Sequence, residues 1–202
     1  MAEDKDVTRD RILEAARKRF SHYGYAKTTM AEISGDCAMS PGNLYRFFPG
    51  KLDIAEAIAR ADERARLAGM EKIVNAPAKS TRKKLIDFFF AELRSTFKKF
   101  EEEPHSLEIA RIISLSRPEF GDERVTAERA MIARILEDGT RLGEFNVQDP
   151  VYMAEMMHSA TLKFRFPQRW THAPLDQLER ELDGVLKLML DGLTPRAEGT
   201  AA

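Results

Sequence analysis

The sequence predicts an all-α protein, and three observations carry that prediction. Apolar residues recur at spacings of three and four along most of the 202-residue chain, the repeat of an amphipathic helix. No stretch keeps up the apolar–polar alternation of a strand, and no unit repeats at a fixed period. Glycine and proline fall between the periodic segments, where helices stop and start.

Each element can be justified in turn. A first helix is expected from about Thr8 to Tyr23, with Ile12, Leu13, Ala16 and Phe20 on one face and Gly24 closing it. Thr29-Met30-Ala31-Glu32 is a capping box that opens a second, short helix ending near Asp36 or Cys37. After a turn through Ala38 and Met39, Ser40 is an N-cap and Pro41 sits at the first helical position of a third. Two short helices joined by so short a turn form a helix-turn-helix. Ile33, Cys37, Met39, Leu44 and Phe48 supply its inner face.

Pro49-Gly50 breaks the chain, and a long helix follows from Lys51 to about Val74, about 36 Å at 1.5 Å per residue. "NAPAKS" is the clearest internal break. Thr81 to about Phe100 is apolar on more than one face and belongs at the centre of its domain. Further helices are expected around Ser106–Leu115 and from about Gly121 to Leu142. Asp149-Pro150 opens another through Met153, Met156, Met157 and Ala160, and Pro174 precedes the last. "TPRAEGTAA" reads as a frayed tail.

Bulk properties exclude several classes. With 32% charged residues and a net charge of −1, this is a globular composition, not a disordered one. "MAEDKDVTRD" has no apolar core of a secretory signal, and no apolar stretch reaches the roughly 18 residues of a membrane span. The single cysteine, Cys37, allows no intrachain disulfide. A single cysteine fits a reducing cytoplasm, the expected location, and no metal or organic cofactor is expected. Charge is unevenly spread. Val7 to Lys51 holds eight bases and four acids, a net +4, and residues 52–202 hold 23 bases and 26 acids, a net −3. A basic head on an acidic body permits a contact with DNA through the head.

The third helix, "SPGNLYRFFPGK", is built for such a contact. Pro41 and Gly42 keep its start slim, and a helix N-terminus favours an anionic partner. Asn43 can bond adenine through two hydrogen bonds, and Arg46 can reach guanine or a phosphate. Tyr45 and Lys51 suit phosphates, which set register without reading sequence.

"TTMAEISGDCAMSPGNLYRFFPGKLDI", Thr28 to Ile54, together with "ILEAARKRFSHYGY" before it, resembles the DNA-binding segment of the tetracycline-repressor (TetR) family. The resemblance covers about the first quarter of the chain. It implies a homodimeric regulator, usually a repressor, that binds a palindromic double-stranded operator and is released by a small molecule. It places DNA contacts on Thr28, Thr29, Ser40, Pro41, Gly42, Asn43, Tyr45, Phe47 and Lys51. It further implies a head at 1–51, a ligand-binding and dimerisation body at 52–195, and a disordered tail at 196–202. Three positions depart from the pattern. Ala38 replaces the usual turn glycine, Phe47 replaces a hydrogen-bonding Tyr or His, and Gly50 stands where Ser or Asn often caps the next helix.

The body is less legible. Phe89, Leu93, Phe97, Met131, Ile135 and Met156 are candidates for the wall of a pocket for an apolar or aromatic effector, and equally for plain core. The stripe Leu175, Leu178, Leu182, Val185 and Met189 has heptad-like spacing. It fits a dimer seam or an intrachain face; the resemblance favours the dimer, a four-helix bundle of the last two helices of each subunit, in which Met153 and Met157 join the stripe and Phe164, Phe166 and Trp170 would support it. Cys37, on the inner face, is expected to be an inert buried thiol.

The sequence admits two other readings. Glu102-x-x-His105 and Glu155-x-x-His158 have the spacing of a di-iron helix bundle, but Pro104 falls inside the first. The other is a helical ligand-binding dimer without DNA binding, which the intact recognition helix opposes. No phosphate-binding Gly-rich loop, His-Glu-x-x-His or Gly-x-Ser-x-Gly occurs, so no enzyme is expected.

Overall fold

The computed structural model describes residues 2–103, 105–167 and 171–195. Among them there is no strand. The helices are α1 (Ala2–Tyr23), α2 (Met30–Asp36), α3 (Pro41–Tyr45), α4 (Lys51–Val74), α5 (Thr81–Glu102), α6 (Ser106–Ser116), α7 (Pro118–Arg141), α8 (Pro150–Ala160), α9 (Leu162–Arg165) and α10 (Leu175–Leu193). Pro104, Trp170 and the tail at 196–202, for which the sequence raised expectations, lie outside the described residues.

Two helix starts differ from expectation, and one short helix, α9, was not expected. The first helix begins at Ala2, a turn and a half before Thr8. The seventh begins at Pro118, not Gly121, because proline is well suited to a first helical turn. The eighth ends where the Thr161 hydroxyl turns back to the carbonyls of Met157 and His158, at 2.8 and 3.2 Å, and the four residues of α9 follow.

The chain divides into two compact units. The first comprises residues 1–66 and 99–122, the second residues 67–98 and 123–202. The first unit therefore reaches past the boundary expected at residue 51. Ile54, Ala55 and Ile58 of α4 share one core with Ile12, Ala16 and Phe20 of α1, Ile33 and Cys37, and Leu44 and Phe48, while Ile109 of α6 packs against its edge. Arg117, at the end of α6, donates to Asp53 and Glu56 of α4 at 3.2 and 3.0 Å.

In the second unit, α5 is central as its sequence predicts, with Leu85, Phe88, Phe89 and Leu93 buried. They share a core with Ile132, Ile135 and Leu136 of α7, Ala154 and Met157 of α8, and Leu178, Leu182, Leu186 and Leu190 of α10. The inner residues of the α10 stripe take the intrachain face. Leu178, Leu182 and Met157 are spent inside the unit, and Met153, Val185 and Met189 are half-buried against the same core. Ion pairs Arg94–Glu179 and Arg82–Asp191 join α10 to α5 at 2.5 and 2.7 Å. Of the pocket candidates, Phe89, Leu93, Met131 and Ile135 are core, Phe97 is half-buried against it, and Met156 is exposed.

Candidate nucleic-acid interface

The second and third helices are fixed from within. Thr29 caps α2 through both halves of the capping box. Its hydroxyl accepts the Glu32 N–H at 3.2 Å, and its own N–H donates to the Glu32 carboxylate at 2.8 Å. Arg19 of α1 pairs with the other Glu32 oxygen at 3.3 Å and binds Asp36 through two nitrogens. Hydrogen bonds from Arg19 hold the Asp36 carboxyl below its ordinary pKa. On α3, the Ser40 oxygen accepts the Asn43 N–H at 3.3 Å.

Between the helices, the Ala38 N–H donates to the Gly35 carbonyl and the Met39 N–H to the Ser34 carbonyl, both at 3.0 Å. This pair of bonds is the Schellman closure of a helix. It requires a left-handed residue, and Ala38 takes that role at φ 51°. The missing turn glycine is thus paid for in strain, about 1–2 kcal/mol.

With Leu44 and Phe48 facing inward, α3 turns its other residues out. Ser40, Pro41, Gly42, Tyr45 and Arg46 are exposed, and Asn43 is half-buried. A methyl group on Gly42 would meet nothing within 4 Å, so the start of α3 is open to an approaching surface. Thr29 is exposed too, although its hydroxyl is engaged as a cap.

Three expected contacts sit elsewhere. Thr28 is buried, and its hydroxyl donates to the Gly24 carbonyl at 2.9 Å. Lys51 points inward. Its ammonium donates to the carbonyls of Tyr25 and Thr28, each at 2.6 Å, and lies 4.3 Å from the Tyr25 ring centre. Burial lowers its pKa. Phe47 is half-buried against the core, and its carbonyl lies 3.4 Å from Arg9. Cys37 is buried beside the Arg11 carbonyl, and burial raises its thiol pKa, as befits an inert thiol.

Other bases of the head were not singled out by the sequence. Arg9 stacks on the Phe48 ring at 4.2 Å, while Arg11 and Lys27 are exposed. Lys27 directly precedes the Thr28-Thr29 pair, which was the only signal available for it. Glu108 of α6 was also missed. It binds the turn after α1 from 83 residues away, and no local pattern announces that.

The comparisons with known proteins agree with this geometry. Residues 12–58 match "Bacterial regulatory proteins, tetR family", and residues 81–186 match "Tetracyclin repressor-like, C-terminal domain". The chain belongs to the TetR family. Within it, the UidR transcriptional regulator of Escherichia coli K12 is 41% identical over 68 residues, which is 34% of this chain and 35% of UidR. That match therefore spans about a third of the relative's length. YhgD of Bacillus subtilis 168, described as an uncharacterized HTH-type transcriptional regulator, is 27% identical over 186 residues, 88% of this chain and 91% of its own. Thermus thermophilus FadR, a TetR-family repressor solved with lauroyl-CoA, shares the fold at a TM-score of 0.67 and 20% identity, over 96% of this chain and 99% of that one.

The di-iron spacing finds no support in the described residues. Glu155 pairs with Arg129 at 3.1 Å, and His158 lies against Glu128 and Arg165. No cluster of three or more His, Cys, Asp or Glu residues that could hold a metal occurs among the described residues. Among them, too, no helix is long and apolar enough to cross a membrane.

Proposed function

We propose that this chain is a cytoplasmic transcriptional regulator, most simply a repressor and not an enzyme, that grips a palindromic operator as a homodimer and lets go when a small molecule binds. One observation carries the reading. In a segment that matches the TetR DNA-binding family, α3 and the residues after it bury Leu44 and Phe48 and leave Pro41, Gly42, Tyr45 and Arg46 exposed, with Asn43 half-buried beside them. Asn43 and Arg46 then read bases, while Tyr45 and Lys27 meet phosphates. Thr28 and Lys51 act behind them, holding the loop that positions Thr29.

The second copy is expected on the exposed apolar residues of α8–α10. Val151, Tyr152, Met156, Leu162 and Leu188 are all well exposed, and an apolar surface of this kind suits a partner. A dimer would set two recognition helices about 34–36 Å apart, one turn of DNA. The lauroyl-CoA bound by Thermus FadR supports a small-molecule effector with apolar character. An effector acts by binding unequally to DNA-competent and DNA-incompetent states, a coupling of about 1–3 kcal/mol.

The test is selection of genomic fragments by the purified chain at near-physiological salt, with the mass of the species in solution measured alongside. Enrichment of an inverted repeat by a dimer is expected. A folded dimer that enriches nothing overturns the DNA reading.

A further inference from the structure

The arginines of α1 are used in two ways. Arg17 donates to Asp62 at 3.1 and 2.6 Å, and Arg19 binds Asp36 through two nitrogens. Each is a strut whose charge a carboxylate cancels. Arg9 is placed differently. Its guanidinium lies over the Phe48 ring, 4.2 Å from the centre, and donates to the Phe47 carbonyl in a long hydrogen bond of 3.4 Å. No carboxylate among the described residues comes within ion-pair distance of it, neither Asp6 one turn before nor Asp10 beside it. Arg9 is also exposed.

These two contacts fix the guanidinium without consuming it. Stacking uses its face and leaves its edge. Of its five N–H donors, the Phe47 carbonyl takes one. A group held in advance gives up little freedom when it binds, and the planar fork fits two oxygens of one phosphate.

The position suits that partner. Phe47 and Phe48 directly follow Arg46, at the end of the exposed face of α3. A carbonyl presented there repels a phosphate, and Arg9 sets a full positive charge beside it. A cover for the buried Phe48 ring needs no charge, since an apolar side chain of similar length can lie on a ring too.

We propose that Arg9 is a DNA phosphate-binding residue, its guanidinium preset on Phe48 to grip one backbone phosphate at the end of α3 remote from Ser40. The contact ties the register of α3 on the duplex to α1. The proposal rests on the reading of the chain as a DNA-binding regulator, and it adds a phosphate site on α1 to the contacts made by α2 and α3.

The full chain, Arg9→Met and Arg9→Lys are titrated with the selected operator at four salt concentrations, and again with an unrelated duplex of the same length. Methionine can still lie on the Phe48 ring but carries no charge. Arg9→Met is expected to bind both duplexes about tenfold more weakly per bound copy, the worth of a hydrogen bond to a charged partner. It should lower the magnitude of the slope of log affinity against log salt by about one per bound copy. Its base preference in a repeated selection should match the wild type, because a phosphate contact reads no sequence. Arg9→Lys keeps the charge and loses the fork, so it should keep the slope and recover only part of the affinity. An unmoved slope for Arg9→Met overturns the proposal and leaves Arg9 a cover for Phe48. Relaxed preference at one base position overturns it as well, since Arg9 would then read a base. If Arg9→Met does not fold, Arg9→Lys decides alone, and full wild-type affinity for it overturns the proposal. A wild-type chain that binds neither duplex removes the regulator reading together with this site. Wild-type binding with an unmoved slope for Arg9→Met removes the site only.

Discussion

The Glu108 carboxylate accepts the N–H groups of Tyr25 and Ala26 at 3.1 and 3.0 Å. Lys51 meets the same turn from its carbonyl side, donating to Tyr25 and Thr28. Gly24 makes the approach possible. It sits at φ 86°, and a side chain there would come within 3.0 Å of Glu108 and 3.1 Å of the His105 ring. The polar groups of the loop that leads into α2 are thus satisfied by side chains distant in sequence, as groups withdrawn from water must be.

Glu108→Ala removes two charge-assisted hydrogen bonds and leaves a part-buried N–H at Tyr25. A loss of about 1–3 kcal/mol in stability is expected, together with weaker operator binding. Glu108→Gln, which can still accept, should fall between. Urea unfolding and an operator titration check both, and an alanine variant with unaltered DNA affinity would show that the turn does not position α2.

Salt dependence separates the lysines. Lys27→Ala should lower the magnitude of the slope of log affinity against log salt by about one, because Lys27 is exposed. Lys51→Ala should leave the slope unchanged and reduce stability, because its ammonium is engaged by carbonyls. Titrations at four salt concentrations decide, and a slope change at Lys51 would mean that it swings out to the phosphates.

Specificity tests the outer face of α3. Asn43→Ala should cost about 1–3 kcal/mol on the selected operator and relax base preference at one position. Repeating the selection with the variant reads both effects. Unaltered discrimination would remove Asn43 from base reading.

The helix-turn-helix was legible because its determinants are local. Thr29 and Glu32, Ser40 and Asn43, and the alternation of inward and outward residues all act within a few positions. Even Ala38 announced its strain, since the Schellman closure requires a left-handed residue whatever the side chain. The α10 stripe was ambiguous because periodicity shows that a face is covered without showing by what. Leu178 and Leu182 satisfy a heptad as well as they satisfy α5. Glu108, Arg165 and the break at Thr161 depend on contacts between distant segments, for which one sequence carries no signal.

The turn between α2 and α3 can be relieved. Ala38→Gly should raise stability by about 0.5–1 kcal/mol, the relief of a left-handed alanine less the added freedom of glycine in the unfolded chain. Thermal unfolding measures this, and destabilisation would show that the alanine methyl has a packing role.

Acid should weaken the first unit through Asp62. Burial opposes its ionisation, but hydrogen bonds from Arg17 and Lys99 outweigh that and hold its pKa below the ordinary value. An acid so lowered stabilises the fold fully above its unfolded pKa, about 4, and the contribution is lost as pH falls through the lower folded value. The stability gap between the wild type and Asp62→Asn should therefore be widest near pH 7 and shrink below about pH 4. Unfolding of both proteins across that range checks it, and a constant gap would refute it.

The docking of Glu108 on the turn after α1 bears on how the protein can be re-engineered. The DNA-reading head is not a portable cartridge that can be cut at Lys51 and spliced to a foreign sensor. A graft made there would strand the N–H groups of Tyr25 and Ala26 and strip Ile54, Ala55 and Ile58 from the core. The transferable part is discontinuous, residues 1–66 with 99–122. A chimera that swaps specificity while keeping its fold has to exchange two stretches of chain together.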